Sequence, residues 1–406
     1  VVDNILRNDE LRVQVLERRS HRVVPGGTIP PETWDSITYS RRGEEMGSGV
    51  ITLEARLIDR DIFEAIVGGT AELFVQRNWT LNDGTPKTEH YLGIPSEVTV
   101  QAGGFQYSRH RCGITKNEIV VLGKSADGST ARRNAIREHD DANQVAFGLH
   151  EEIVDANNCG VGEYTCMRSA GRAVLEKQLA EISTGKVDWN QLSDGTTIVV
   201  NMNDPYYYPA RRFADTSGRN QVMFGGETAG NYVANLMQAQ VLTPSAQDRQ
   251  KGYRDLDARA IHAHNAAGRA YTQGLVWTNV ADAIKDCCLA GGIVLDYVLD
   301  SENRQIVYST RAYNNRTRGR GKIVLSENLI GNDVDIAIGD IVIRDHYLPN
   351  DDKPYLEGVE TICKEITVSQ QRGNAVEVSA GTGSYEASGN DYVNKLIKDN
   401  HNSRVR

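Results

Sequence analysis

Several constellations in this sequence hold side chains that could do chemistry: His262-Ala263-His264, the carboxylates Glu151-Glu152, His139-Asp140-Asp141 and the cysteines Cys159 and Cys166. Histidines two residues apart on a helix lie on different faces, whereas helical zinc sites use a four-residue spacing. On a strand they would share a face, but no third ligand is evident, so no metal is expected. Glycoside cleavage needs two carboxylates flanking one bond at a defined separation. Glu151 and Glu152 are neighbours on a predicted helix, point in different directions and read as solvated. His139-Asp140-Asp141 precedes the same helix, where aspartate is explained by capping and the helix dipole.

Nucleophilic and nucleotide chemistry find no support either. There is no Gly-x-Ser-x-Gly elbow and no local Cys/His signature. Gly225-Gly226-Glu227-Thr228-Ala229-Gly230 lacks both the Gly-x-Gly-x-x-Gly spacing and the Lys-Ser/Thr of a phosphate-binding loop. The expected inventory is no catalytic residue, no cofactor, no metal and no enzyme activity. What remains is Pro205-Tyr206-Tyr207-Tyr208-Pro209, a loop fixed by two prolines. Tyr206, Tyr207 and Tyr208 offer rigid, amphipathic contact area and form the candidate interface. The competing reading packs them onto their own domain.

Six cysteines dispersed over 406 residues do not make a disulfide scaffold. The six-residue gap between Cys159 and Cys166 matches neither a redox C-x-x-C nor a usual zinc spacing. Unbridged thiols in a reducing cytoplasm are therefore expected over a local disulfide. Adjacent Cys287 and Cys288 read as core-filling on a helix. A formal charge of −9 argues against a general nucleic-acid binder, though it suits a surface past which DNA slides without sticking. No apolar run is long enough to span a bilayer and no signal peptide is recognisable, so a soluble protein with more than one core is expected.

The elements that must position these residues begin with a β-rich first third. Val50–Leu57 alternates imperfectly, Ala71–Arg77 is an apolar strand, and Tyr91–Gly104 reads as two strands joined at Pro95-Ser96, together a small half-open β barrel. The period then changes. Val145, Leu149 and Ile153 recur every four residues in a predicted helix over Asp140–Asn158, and a second helix covers Glu163–Ser183. Thr196–Asn201 is a strand. Thr278 is the expected N-cap of a helix over Asn279–Ala290, which Gly291-Gly292 stops. Strands at Ile293–Leu299 and Gln305–Thr310 follow, the arginine-rich segment Arg311–Lys322 reads as a solvated loop, and a hairpin turns over Gln371-Arg372-Gly373-Asn374.

The succession Trp34-Asp35-Ser36-Ile37-Thr38-Tyr39, Gly49-Val50-Ile51-Thr52-Leu53, Ala71-Glu72-Leu73-Phe74-Val75, Tyr91-Leu92-Gly93-Ile94-Pro95 and Asn117-Glu118-Ile119-Val120-Val121 resembles the minor tail, or baseplate hub, proteins of long-tailed phages (siphophages) that infect actinobacteria. Trp277–Gly383 is similar to that family more loosely, including its small helix-plus-hairpin module. The resemblance implies an α+β, β-rich fold: two tail-tube-like β-barrel modules with intervening α/β and helical insertions. The implied divisions are 1–125, an N-terminal hub barrel; 126–276, a helical and α/β insertion; 277–322, a small α/β module; 323–385, a second barrel module; and 386–406, a polar C-terminal tail.

The function it implies is mechanical. Three copies would form a ring at the distal tip of the virion's tail, continue the tail tube and gate DNA ejection, after assembly in the host cytoplasm. Implied partners are further copies of the chain, a distal tail protein, a tape-measure protein and other minor tail proteins, with genome DNA passing through the lumen unbound. A tail-associated cell-wall hydrolase and a carbohydrate-binding receptor module are the alternatives.

Overall fold

Alternation of apolar and polar residues sets the largest layer. In a strand, successive side chains face opposite sides, and β4 (Ser48–Glu54) buries Gly49, Ile51 and Leu53 while Val50 faces outward. β11 (Thr196–Asn203) does the same with Thr196, Ile198, Val200 and Met202. The computed structural model describes residues 9–81, 83–102, 105–111, 116–128, 133–182, 189–215, 222–226, 228–244, 260–263, 266–300, 302–313, 336–346 and 356–384.

The main sheet also contains β1 (Glu10–Glu17), β2 (Val23–Ile29), β3 (Trp34–Arg42), β5 (Ala71–Thr80), β6 (Pro86–Ala102) and β7 (Phe105–Arg111). From the far end of the chain come β17 (Ile341–His346), β18 (Leu356–Gln371) and β19 (Glu377–Ser384). Their order is β17-β18-β3-β4-β11-β6-β5-β1-β2, with β19 beside β18 and β7 beside β6. Helix α1 (Arg60–Val67) packs Ile62, Phe63 and Ile66 beneath it.

This order is linear, and among the described residues no sheet closes into a barrel, which corrects the expectation of two tube-like barrels. The reason lies in where the late strands pair. β18 runs antiparallel to β3, from Glu365 opposite Arg42 to Gln371 opposite Ser36, so the C-terminal strands extend the N-terminal sheet and build no second barrel. β11 enters from mid-chain between β4 and β6. The sheet curls without its ends meeting: Tyr39 of β3 stacks on Tyr91 of β6 with centroids 4.7 Å apart, although β4 and β11 separate those strands. One apolar core accordingly gathers Val13, Val15, Ile37, Val98, Ile198 and Val368.

Pro95-Ser96 is not a turn between two strands, as expected, but a bulge inside β6. Glu97 lies opposite Asn201 and Pro95 opposite Met202, which leaves Ser96 without a partner residue, while its Oγ donates to the Asn201 carbonyl at 3.1 Å. Proline has no N–H to give a ladder, and a bulge tolerates that loss within a continuing strand.

Three smaller sheets flank the large one. In the first, β8 (Glu118–Leu122) lies between β9 (Ala135–His139) and β10 (Glu151–Asp155), and α3 (Tyr164–Ile182) packs on it. The single helix expected over Asp140–Asn158 is corrected: α2 (Asp141–Phe147) ends at Gly148, whose φ of +76° suits glycine, and β10 then pairs parallel with β8. Asp140 caps α2 as expected, accepting from Asn143 N at 2.7 Å. Cys159 and Cys166 form a disulfide, against the expectation of unbridged thiols, because the turn into α3 brings their Cα atoms to 5.8 Å.

The other two sheets are β12 (Val222–Gly226) with β14 (Tyr271–Leu275), and β13 (Ala260–Ala263) beside β16 (Gln305–Ala312) and β15 (Ile293–Asp300). Against them lie α5 (Ala229–Met237) and α6 (Val280–Gly291), with α4 (Tyr207–Ala210) a single turn. Asn279, not the expected Thr278, caps α6, its Oδ1 accepting from Ala281 N at 2.9 Å. Cys287 and Cys288 are buried on α6 as their spacing implied. The segment 314–322 lies outside the described residues.

Leu53→Ala on the inner face of β4 should lower the unfolding free energy by about 2–5 kcal/mol. Val50→Ala on the outer face should change it by less than about 0.5 kcal/mol. Urea unfolding of both variants checks the facing, and equal losses would contradict it.

Candidate functional site

The candidate interface tyrosines occupy a compact turn that leaves β11. Asp204 Oδ1 accepts from Tyr206 N at 3.0 Å, its carbonyl accepts from Tyr207 N at 2.9 Å, and the Pro205 carbonyl accepts from Tyr208 N at 3.1 Å. A short side chain bonding the backbone two residues on is what makes aspartate a turn former. Asp204 is itself tied to the main sheet, since its N–H donates to the Gly47 carbonyl at 3.2 Å. Tyr206, Tyr207 and Tyr208 are only 1%, 4% and 3% exposed and sit within the second apolar core.

Their polar ends meet charged groups from separate parts of the chain. Tyr208 Oη donates to Glu72 Oε1 of β5 at 3.0 Å. Glu72 Oε2 lies 3.3 Å from His21 Nε2, both side chains being fully enclosed. His21 Nδ1 carries a hydrogen, because its partner at 2.9 Å is the Arg304 carbonyl, which can only accept. Arg211 Nη1 donates to Tyr207 Oη at 3.1 Å and to the Phe147 carbonyl at 2.9 Å, with its guanidinium 4.4 Å from the Tyr207 ring centroid. Tyr308 Oη of β16 donates to the Pro205 carbonyl at 2.8 Å. One turn thus joins the main sheet, the α2/β10 unit and the β15–β16 unit.

The electrostatics follow from this enclosure. Burial alone would push the Tyr207 phenol up, but Arg211 and Arg18 outweigh it and hold it below its ordinary range. Burial, reinforced by Glu72, pushes Tyr208 up. Burial also raises Glu72, against the opposing pull of His21 and Arg18. Asp204 is pushed up to about 8 by burial, which the backbone N–H groups of Gly47 and Tyr206 only partly offset. Carboxylate, imidazole and phenol converge here as they do in acid–base sites, but Glu72, His21 and Tyr208 are all buried. The arrangement can lock three units in register.

Glu151, expected in solvent on a helix, is instead buried on β10. It bonds Arg137 at 3.0 Å and accepts from Phe213 N at 2.9 Å, and Arg137 also pairs with Glu118 and with Asp215 at 2.9 Å. Glu152 is half-buried and accepts from Gln178 at 3.2 Å. His262 lies on β13, and His264 lies outside the described residues. Among the described residues no group of three or more His, Cys, Asp or Glu side chains could hold a metal ion, and no helix is long and apolar enough to cross a membrane. Sequence reading missed Arg18, His21, Glu72 and Arg211. The available signal was Glu72 inside the apolar run Ala71-Glu72-Leu73-Phe74-Val75, since a carboxylate there needs buried partners.

No family model matches the chain, and no curated protein matches it in sequence. Among solved structures, it is similar to a component of the type VI secretion system from E. coli, described as structurally similar to T4 bacteriophage tail proteins. That match has 8% identity and a TM-score of 0.36, and covers 87% of this chain and 74% of the other. The 43 kDa tail protein of a Shewanella oneidensis prophage matches with 9% identity and a TM-score of 0.37, covering 93% and 98%. The tail protein from Neisseria meningitidis matches with 8% identity and a TM-score of 0.35, covering 93% and 96%. Likeness at this level assigns no activity.

Asp204 makes stability depend on pH. Its folded-state affinity for a proton exceeds that of the unfolded chain between the ordinary aspartate value of about 3.9 and about 8. Stability therefore falls as pH rises through that window, by at most about 1.4 kcal/mol per pH unit for one proton. Asp204→Asn should flatten the slope, leaving the contribution of Glu72. Urea unfolding between about pH 5 and about pH 8 reads it, and an unchanged slope would rule out the assignment.

Proposed function

We propose that this chain is a structural, non-catalytic subunit of a phage-type tail tip, a baseplate hub that works by assembling. The observation that carries the reading is the open main sheet. Among the described residues, its strand order ends at β2 and at β17 without closure, and β19 and β7 each pair on one side only. Unpaired edges are a liability in a lone chain and are removed by pairing or covering them across copies. Pro25 in β2 withholds one donor from that edge. The end built by β17 and β19 is therefore the better surface for a neighbour. The succession of strand sequences that resembles the hub family supports the same reading.

In this reading three copies form a ring at the distal end of the tail. The ring continues the tube, contacts the distal tail and tape-measure proteins, and opens on host contact to release DNA. The charge of −9 suits a lumen, because like charge keeps phosphate from adhering. No residue is assigned catalysis or a cofactor. Tyr206–Tyr208 contribute by fixing the units that present the edges.

Native mass measurement and electron microscopy test the proposal. The expected result is a ring-forming oligomer that is incorporated into tail particles. A stable monomer absent from such particles would overturn it.

A further inference from the structure

Beyond the main core, the paired ends of β5 and β6 carry a polar inner face. Trp79 lies opposite Lys87 and Arg77 opposite Glu89. This face and the edge of β15 bound a cleft of about 310 Å³, whose apolar wall includes the buried Ile338 and Ile366, with the exposed Val298 also lining it. That volume lies at the lower end of the roughly 300–1,000 Å³ of small-molecule sites.

Both arginines at the cleft already have carboxylate partners, and Lys87 also lines it. Arg41 pairs with Asp296 and donates to the Tyr297 carbonyl at 3.0 Å, and Arg77 pairs with Asp9 at 2.7 Å. An anionic ligand would have to draw Arg41 or Arg77 away from its carboxylate, which leaves a partly buried charge unpaired at high cost. Hydrogen-bonding capacity, by contrast, is left over. Glu89, with its side chain 12% exposed, stands 3.6 Å from Arg41 and 3.9 Å from Arg77. Both distances exceed a hydrogen bond. Arg41 Nε is buried with no partner among the described residues. Burial pushes the Glu89 carboxyl up, the two arginines only partly opposing it. Such a carboxyl gains by accepting from neutral hydroxyl donors. The Trp79 indole, with Arg77 4.2 Å from its centroid, adds a rigid amphipathic surface at the same place.

We propose that this cleft binds a neutral saccharide, with Trp79 and the apolar wall against the apolar face of a pyranose ring and Glu89 accepting from its hydroxyls. A pyranose has one face of C–H groups and a rim of donors and acceptors, which matches an apolar wall beside polar groups. None of the three junction tyrosines lines the cleft, and the proposal does not rest on ring assembly.

Titration calorimetry and saturation-transfer NMR on the full chain test it, using glucose and N-acetylglucosamine as neutral probes, glucosamine as a cationic probe and glucuronate as an anionic one. A neutral probe should bind with a dissociation constant of about 1 mM or tighter. Trp79→Ala and Glu89→Gln should each weaken binding at least about tenfold, a loss of about 1.4 kcal/mol, while Trp79→Phe retains most of it. Should Glu89→Gln fail to fold, Trp79→Ala at the cleft's rim carries the test. No binding of either neutral probe, stronger binding of a charged probe, or binding indifferent to Trp79→Ala would each overturn the proposal, whatever the oligomeric state.

Discussion

The pairing of β11 on both of its edges is the constraint on which the rest depends. β4 and β6 are separated in sequence by α1 and β5, and without a strand between them each would present a row of unmet backbone donors and acceptors to the core. Such groups are costly when buried and unpaired. β11 satisfies both rows and delivers its inward residues, Ile198 and Val200, to the centre of the apolar cluster. Asp204 directly follows its last residue, Asn203, so the register that completes the sheet places the tyrosine turn as well. An error of one residue would send the inward set outward and carry Tyr206–Tyr208 away from Glu72 and Arg211.

Arginine stands at three of the junctions between units. Arg211 links α4 to the carbonyl of Phe147, Arg137 links β9 to Glu118, Glu151 and Asp215, and Arg41 links β3 to Asp296 and the Tyr297 carbonyl. The planar fork meets several acceptors at once and loses little freedom in doing so. Buried ion pairs gain little net stability over apolar packing, but removing one partner is severe. Arginines at these positions therefore specify how the units meet more than they strengthen the whole.

Where a segment's environment was local, the sequence revealed it. β11, α3 and the β15–β16 hairpin each follow one period with clear stops, whereas the strand expected to Leu57 ends at Glu54 and the loop expected between two prolines holds the helical turn α4. Val145, Leu149 and Ile153 misled because a four-residue recurrence spanned a helix, a glycine break and a strand. Barrel closure was not legible at all. Closure is a property of which edges meet, and no periodicity within β3 reports that its partner is β18. The junction was hidden for a similar reason: Tyr208 became a buried donor only because Glu72, far away in sequence, requires one.

The division between apolar interior and polar seams has a mechanical consequence for a hub. A strand held in the main core by Ile51, Leu53 and Val200 moves only by opening cavities, and packed interiors resist that strongly. A seam made of hydrogen bonds and ion pairs can exchange partners with water or with another chain at smaller cost, since those groups are satisfied in either state. If the proposed ring opens, displacement belongs at the junctions around Arg41 and Arg137, with the main sheet moving as one body. The junction around Asp204 and Glu72 is the exception among them. Its carboxyls are enclosed by apolar side chains and tyrosine rings, so separating it would expose part of the second core.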